Sequence, residues 1–246
     1  MMNKKYTFED FVLYEGNELA HAALHEVSIH PDKPLSPLYI YGSTGLGKTH
    51  LVNAAAEQLS EIGKVSYIVI TTAERFKSEY IHALRMQSLA DFYAKYECAD
   101  VLIMENFQQL SGRGELQALF HEIFDTLQEN GKQVILTSDV PSDYLMDFDS
   151  SLLSKVRSGY VVEIEAPGYE DRIAILEDEM DSILVTTRMD ADEEELDQII
   201  SYIANFETSD IRKMKGMLIR VASFALLLNE ELTFAFAARI LRVQSR

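Results

Sequence analysis

Cysteine is almost absent from this 246-residue chain, which contains only Cys98. A single cysteine excludes an internal disulfide and a cysteine-rich metal site, and we expect Cys98 to be a semi-buried thiol rather than a nucleophile. A signal peptide and long apolar runs are also absent, so no membrane span is predicted and the cytoplasm is the expected compartment. The five prolines fall in loops or at element ends, which favours a compact architecture.

Positive charge is scarce as well, because 22 Lys and Arg stand against 40 Asp and Glu and the net charge is −18. Such a surface repels a phosphate backbone on average, so tight duplex binding is disfavoured unless basic residues cluster locally. The acidity points towards protein partners, or towards solubility alone. A hydrophobic content of 47% is enough for one large core, or for a core and a small accessory domain, in a folded soluble protein.

A complete Walker A phosphate loop, Gly-Ser-Thr-Gly-Leu-Gly-Lys-Thr, occupies residues 42–49. Its glycines let backbone N–H groups approach phosphate, and the helix starting near Lys48 directs its positive dipole end at the anion. Lys48 is predicted to reach the β- and γ-phosphates, and the Thr49 hydroxyl to ligate Mg²⁺. The candidate nucleotide site comprises Gly42, Ser43, Thr44, Gly45, Leu46, Gly47, Lys48, Thr49 and His50.

Strand and helix signals alternate around and after this loop. Strands are predicted over residues 38–41, 65–71, 101–104, 134–137 and 161–164. Helices are predicted over residues 50–59, 73–86, 88–95 and 115–129. Strands separated by helices imply parallel pairing with right-handed crossovers. The fold class is therefore α/β, a three-layer αβα parallel sheet with the phosphate loop at the carboxyl end of its strand.

The pattern becomes purely helical after residues 166–168. Helices are predicted over residues 169–183, 192–205, 209–228 and 233–242, with Ser209 and Thr233 as N-caps. The carboxylates of residues 192–195 lie in a first helical turn, where the helix dipole favours them. We therefore divide the chain into an αβα nucleotide-binding domain, residues 1–166, and a small helical lid domain, residues 167–246.

Several segments carry a resemblance to a known family. They are Tyr6 to Phe8, Phe11-Val12, Asn17, Leu19 to Ala23, Pro37 to Gly42, Gly45 to Leu51, Asp100 to Ile103, Leu136 to Asp139, Glu170 to Leu176, Ser209 to Arg212 and Leu218 to Val221. Together they resemble the P-loop AAA+ domain of DnaA, the bacterial chromosomal replication initiator, over nearly the whole chain. The resemblance implies binding of ATP or ADP with Mg²⁺ and a role in replication initiation or its regulation.

The family assigns further site residues by resemblance. Tyr6, Phe11 and Val12 belong to the N-terminal segment that lies against the adenine, although an arm packed on the core is an equal alternative. Asp139 occupies the sensor 1 position near the γ-phosphate. Arg212 occupies the sensor 2 position on a lid helix, from which a guanidinium can fork onto the phosphates.

The acidic Walker B pair departs from the family pattern. Two consecutive aspartates are replaced here by Glu105 and Asn106. Glu105 is a candidate Mg²⁺ ligand, through a coordinated water, with a longer arm than aspartate. Asn106 has no carboxylate to accept a proton from attacking water. Stable nucleotide binding with weak or absent ATPase activity is the expected result.

The arginine-finger positions also depart from the family pattern. The family's arginines reach the γ-phosphate of a neighbouring subunit, and the aligned residues here are Ser151 and Lys155. Lysine keeps the positive charge but cannot make the two parallel hydrogen bonds of a guanidinium. Serine has neither the charge nor those hydrogen bonds. Arg157 takes the place of a finger arginine if the alignment with the family is shifted slightly. The alternative for both Lys155 and Arg157 is a solvated basic edge. We expect no ATP-stabilised filament of this chain alone.

The initiator continues beyond its lid into a helix-turn-helix domain, whereas this sequence ends at Arg246. The sequence is therefore either a truncated domain or a protein that does not recognise a specific sequence in duplex DNA. The second case resembles Hda, a DnaA-like protein that acts on the initiator and its ATP form together with the sliding clamp. The basic residues in the regions that contact single-stranded DNA in the initiator are scattered, so strand binding is expected to be weak or absent. They are Lys77, Arg85, Lys95 and Arg113.

Two functional classes remain open. The first is a nucleotide-binding adaptor whose partner is DnaA or another replication protein. The second is an active AAA+ ATPase, either an initiator domain or a helicase loader. Glu105 and Asn106 favour the first class, because an active enzyme requires an effective Walker B pair.

Overall fold

The computed structural model describes residues 6–32, 34–206 and 210–242. Five parallel strands form one sheet in the order β2-β3-β4-β1-β5, which confirms the predicted α/β class. The strands are β1 Leu38–Tyr41, β2 Ile68–Thr72, β3 Val101–Glu105, β4 Gln133–Ser138 and β5 Tyr160–Glu163. The helices before and between them are α1 Glu18–Ile29, α2 Lys48–Ile62, α3 Ala73–Met86, α4 Leu89–Glu97, α5 Gly114–Glu129 and α6 Ser150–Ser158. Short 3-10 helices span Phe107–Leu110 and Ser142–Tyr144.

The described residues form two compact units. One contains residues up to Glu165 apart from Thr44–Leu46, and the other contains Thr44–Leu46 and the residues from Ala166 onwards. The helices of the second unit are α7 Tyr169–Thr187, α8 Glu193–Ala204, α9 Ile211–Leu228 and α10 Phe234–Arg242. Each unit has its own buried apolar cluster.

Helices cover both faces of the sheet, since both faces of its central strands are apolar. On one face the aromatic rings of Phe76 and Phe120 lie edge to face at 6.1 Å beneath α3 and α5. On the other face α1 packs against α2 through fully buried side chains such as Leu24 and Leu51. The helices that connect parallel strands lie on these faces and therefore bury the strands on both sides.

The sheet register determines which loops meet. Tyr41, the last residue of β1, pairs with Ser138 of β4 and with Glu163 of β5. The Gly42 N–H then donates to the Ser138 carbonyl at 3.2 Å. The loop after β1 and the residues after β4 therefore lie side by side at the carboxyl edge of the sheet.

In the C-terminal unit, four helices surround a core that includes Leu176, Ile203, Leu218 and Phe236. Asp192 caps α8 through its carboxylate, which accepts from the Glu194 and Glu195 N–H groups. The Thr233 hydroxyl accepts from the Phe236 N–H at 3.3 Å, as a cap of α10 should. Asp210 caps α9, and the predicted cap Ser209 lies outside the described residues.

Several element predictions need correction. The strand predicted from residue 65 begins at Ile68, because the Asp100 carboxylate accepts from the Ser66 and Tyr67 N–H groups at 2.8 and 3.0 Å. The Asp100 side chain thus accepts the hydrogen bonds from residues 66 and 67 that a neighbouring strand was expected to accept. The sequence patterns did not predict helices α1 and α6. The Cys98 thiol is exposed rather than semi-buried, since it lies at the C-terminal cap of α4.

Candidate functional site

The phosphate loop requires glycine for reasons visible in its backbone. Gly45 and Gly47 have φ angles of +86° and +96°, in the left-handed region that other residues enter only with strain. A Cβ on Gly42 would lie 2.4 Å from the Ile164 carbonyl oxygen. The loop is therefore shaped by close approach and by unusual backbone conformation, which is the cradle that a phosphate group fits.

Lys48 lies at the first residue of α2, and only 7% of it is exposed. Its Nζ donates to the carbonyl oxygens of Gly42 at 2.5 Å and Ser43 at 2.9 Å. The same atom lies 2.8 Å from a carboxylate oxygen of Asp139, the predicted sensor 1 residue that follows β4. A buried ammonium is costly unless paired, and here Asp139 supplies the counter-charge.

The other Asp139 carboxylate oxygen accepts from the Gln108 Nε2 at 3.0 Å. Gln108 lies in the 3-10 helix that follows β3, so the loops after β3 and β4 are joined at this point. Sequence reasoning missed Gln108, which carries no motif of its own. Only its position three residues after Glu105 places it near the site.

The Thr49 hydroxyl donates to the Glu105 carboxylate. The two predicted Mg²⁺ ligands therefore lie together, one at the start of α2 and one at the end of β3. Both offer oxygen atoms, which are the ligands that Mg²⁺ prefers. The residues present thus fit a magnesium site beside the phosphate loop.

Asn106, the second member of the altered Walker B pair, adopts the left-handed conformation with φ +57°. Asparagine tolerates this region better than most residues. Its backbone N–H lies 3.4 Å from the Thr137 hydroxyl on β4. Asn106 is therefore held at the strand end. Its side chain is an amide, which cannot accept a proton from water as a carboxylate can.

The N-terminal segment lies against the first turn of α2. The ring of Tyr6 packs edge-on against His50 at 5.2 Å, and Phe11 lies 5.3 Å from the same imidazole. His50 Nε2 lies 2.8 Å from the Thr7 carbonyl oxygen, so this nitrogen carries the proton. Phe11 also approaches the phosphate loop, because its Cε2 would lie 2.7 Å from a Cβ on Gly47.

Val12, the third predicted adenine-side residue, is positioned by Asn17. The fully buried Asn17 amide donates to the Val12 carbonyl at 3.1 Å and accepts from the Tyr14 N–H at 3.0 Å. Asn17 was noted only as part of the family resemblance, and its structural role was not predicted. It is the side chain that shapes the segment before α1.

Two histidines of α1 hold the same segment. The ring of Phe8 packs edge-on against His21 at 5.0 Å and His25 at 5.3 Å. Burial lowers the pKa of His21, and the neighbouring His25 lowers it further, against opposing effects of the Phe8 backbone and Glu9. The interpretation of residues 6–12 as an arm packed on the core is thus compatible with their position beside the nucleotide loop.

The remaining predicted site residues differ in exposure and in their contacts. Ser43 and Thr44 are exposed, whereas Leu46 is buried. Arg212 is an exposed residue in the first turn of α9, in the C-terminal unit. Lys155 pairs with Asp125 of α5.

Neighbouring residues of α6 complete the finger region. Ser151 is exposed in the first turn of this helix. Arg157 lies 3.1 Å from the Asp143 carboxylate and donates to the Ser142 carbonyl at 2.8 Å. Both cations of this region therefore contact their own chain.

No cluster of three or more His, Cys, Asp or Glu suited to a metal occurs in the part of the chain that the structure describes. A site at Thr49 and Glu105 would therefore depend on phosphate and water oxygens for its other ligands. Among residues 6–32, 34–206 and 210–242, no helix is long and apolar enough to cross a membrane.

The sheet order, the phosphate loop after its β1 strand and the helical C-terminal unit define a P-loop protein of AAA+ architecture. The family model described as the bacterial DnaA ATPase domain matches residues 2–163. This match covers more than half of the chain. The chain therefore belongs to the bacterial DnaA ATPase domain family.

Solved structures agree with this assignment. Domain III of the Thermotoga maritima replication initiation protein DnaA is 28% identical, with a TM-score of 0.86 over 98% of this chain and 97% of that one. AMPPCP-bound DnaA from Aquifex aeolicus is 28% identical, with a TM-score of 0.83 over all of this chain and 71% of that one. A replication initiator DnaA bound to AMPPCP and single-stranded DNA is 30% identical, with a TM-score of 0.78 over 89% of this chain and 65% of that one.

Proposed function

We propose that this chain binds ATP or ADP with Mg²⁺, hydrolyses ATP very slowly, and acts in replication initiation or its regulation. One observation carries the proposal. An intact phosphate loop around Lys48 is combined with Glu105 and Asn106 where the family has two aspartates. Binding is thereby retained while the group that activates water is lost.

Nucleotide binding is assigned to named groups of the chain. The backbone N–H groups of residues 43–49 and the Lys48 ammonium would hold the phosphates, and the segment from Tyr6 to Val12 would lie against the adenine. Arg212, at the sensor 2 position by family resemblance, is proposed as a phosphate-binding guanidinium. Two relatives bound to AMPPCP support an adenine nucleotide as the ligand.

Thr49 and Glu105 would hold Mg²⁺, in keeping with the contact between their side chains. When bound there, the cation would neutralise charge on the phosphate oxygens. The Thr49 hydroxyl can keep this hydrogen bond while it ligates the cation, because its oxygen has two lone pairs besides the donated proton. Glu105 would then orient the Thr49 oxygen and accept from a coordinated water.

Slow hydrolysis follows from what the site residues cannot do. Asn106 can orient a water molecule through its amide but cannot take its proton. Lys155 and Arg157 are held by carboxylates of their own chain, which supports the expectation that this chain does not complete a neighbour's site. Two contributions to catalysis are thus reduced together.

The decisive experiment measures release of labelled γ-phosphate in a single turnover by the purified chain. We expect stable ATP binding with a rate far below that of ordinary AAA+ proteins, and a rate increased by about a hundredfold in the Glu105→Asp/Asn106→Asp double variant. Lys48→Ala, which should not bind, sets the background. Turnover by the unmodified chain at ordinary AAA+ rates would instead identify an active ATPase.

Single-stranded DNA is proposed to bind weakly or not at all. Three of the four candidate cations are paired: Arg113 with Glu74 at 2.6 Å, Lys95 with Glu79 at 2.5 Å and Lys77 with Glu74 at 3.9 Å. Neutralised cations release few counterions from a phosphate backbone. Anisotropy of a labelled oligothymidylate should show little binding at about 0.15 M salt, and tight salt-resistant binding would contradict the proposal.

The proposed partner is DnaA or another replication protein in the cytoplasm, with a regulatory action similar to that of Hda. The acidic surface and the family membership support a protein partner. Loss of ATP from purified initiator should accelerate when this chain and the sliding clamp are added together. Sedimentation with ATP should show no ladder of oligomers of this chain alone. An unchanged initiator would exclude the regulatory role, and an ATP-dependent ladder would support an initiator-like one.

A further inference from the structure

The sheet has an open edge at β2. Among the described strands only β3 pairs with it, so β2 forms one border of the sheet. The Tyr67 carbonyl accepts from the Asp100 N–H at 2.8 Å and therefore faces β3. Because backbone groups alternate along a strand, the N–H and C=O of Ile68 and Ile70 face away from it. No described residue outside the sheet donates or accepts a backbone hydrogen bond there.

This edge lacks the features that usually protect an exposed strand. Its sequence is Ile-Val-Ile-Thr-Thr, with neither a charged residue nor proline. Natural sheet edges are commonly blunted by lysine, proline or a bulge. Ile70 is 36% exposed and Tyr67, just before the strand, is 40% exposed. This composition is typical of a strand that is paired with other strands on both sides.

A groove accompanies the open edge. A cavity of about 450 Å³ lies between α2 and β2, on the face of the sheet towards which Ile68 and Ile70 project. Its floor is apolar and includes Ala56. Its wall is polar and carries the carboxylates of Glu57 and Glu61, one helical turn apart. Side chains of an added strand that point to this face would enter the groove.

The chemistry of the wall indicates what kind of side chain would enter. The Glu57 Oε2 atom is buried and has no hydrogen-bond partner among the described residues. A desolvated carboxylate oxygen without a donor is unfavourable, and rotation of the Glu57 side chain towards a cation with N–H groups in the groove would relieve the cost. Arginine or lysine is the side chain that does so. The groove and the edge therefore require one ligand that is both extended and basic.

We propose that the β2 edge binds an extended segment of a partner protein by strand addition, with an arginine or lysine side chain facing Glu57. Main-chain hydrogen bonds to Ile68 and Ile70 would supply affinity, and the Glu57 carboxylate would supply specificity. A second copy of this chain is disfavoured. Antiparallel pairing of two β2 strands would bring α2 of both copies onto the same face, with like charges adjacent.

The test uses labelled peptides of about eight residues and measures fluorescence anisotropy on the whole chain. The probe alternates valine and arginine. One control peptide has the same composition in two blocks, and another replaces arginine by glutamate. We expect only the alternating basic peptide to bind, and the exchange of the Ile68 and Ile70 amide protons to slow when it is saturating. Equal binding of the block peptide, or no binding of the probe, would overturn the proposal.

Variants locate the site. Glu57→Gln and Ile70→Lys should each weaken the probe about tenfold, the effect of one charge-assisted hydrogen bond or one opposing charge. Glu129→Gln, an exposed carboxylate on α5, is the matched control and should bind as the unmodified chain does. Circular dichroism checks that each variant is folded. A concentration-dependent dimer that Ile70→Lys abolishes would overturn the proposal in favour of a second copy, and nucleotide affinity should stay unchanged in every variant.

Discussion

The Lys48 ammonium of the phosphate loop and the Asp139 carboxylate form an ion pair of 2.8 Å. The pair links the first residue of α2 to the residue that follows β4. Phosphate groups of a nucleotide must therefore share or displace the carboxylate that already neutralises the loop lysine. The chain itself thus supplies Asp139 as the counter-ion of Lys48.

Replacing Asp139 by asparagine should tighten ATP binding by about threefold to fivefold, the size expected for one partly exposed ion pair. The amide keeps the shape of the carboxylate but no longer competes for Lys48 or repels the phosphates. Isothermal titration measures the dissociation constant. Asp143→Asn, which loses a pair with Arg157 outside the loop, is the control and should change nothing. Weaker binding by Asp139→Asn would show that the carboxylate helps to hold the nucleotide.

Glu105→Gln should reduce ATP affinity about tenfold in the presence of Mg²⁺ and leave it unchanged in a chelator. The amide still contacts Thr49 but is a poorer ligand for the cation. Titrations at matched ionic strength with and without Mg²⁺ measure the difference. A loss that is equal under both conditions would point to a structural role for the carboxylate.

Asn17→Ala should destabilise the αβα unit by about 2 kcal/mol, because the buried Tyr14 N–H and the partly buried Val12 carbonyl each lose the Asn17 side chain as a partner. Urea unfolding followed by circular dichroism gives the free energy. Asn130→Ala, which removes an exposed amide at the end of α5, is the control and should cost less than about 0.5 kcal/mol. Similar losses in the two variants would rule out a special role for Asn17.

Stability should depend on pH through His21. Its pKa is lowered by burial and by His25, so the folded chain binds a proton less readily than the unfolded chain. The contribution is complete above the ordinary histidine value of 6.5 and is lost as the pH falls through the lowered value. Thermal unfolding of His21→Gln between pH 5 and 8 should show a weaker acid decline than the unmodified chain. His82→Gln, an exposed histidine of α3, should show none of this effect.

The sequence was sufficient for elements with one dominant signal. β1 and α3 have the predicted bounds, because a short apolar run before a glycine loop and a clear helical period admit few alternatives. Helix α1 was missed since its apolar residues do not mark one face, and Leu19 is 66% exposed. The start of β2 was misplaced because the bonds from Asp100 come from a residue distant in sequence.

The candidate site divides in the same way. The phosphate loop, Thr49 and Glu105 were identifiable from local pattern and family resemblance, and the structure brings them together. The pairing of Lys155 with Asp125 depends on how α6 lies against α5, which no local pattern encodes. Gln108 and the contacts of Asn17 likewise depend on the folded backbone.

Gly47 satisfies two demands at once, since its φ of +96° excludes most side chains and the ring of Phe11 occupies the space of a Cβ. A smaller residue at position 11 would relieve the clash of Gly47→Ala but not the backbone strain. No single compensating substitution can therefore restore this position. Position 47 therefore requires glycine whatever residue stands at position 11.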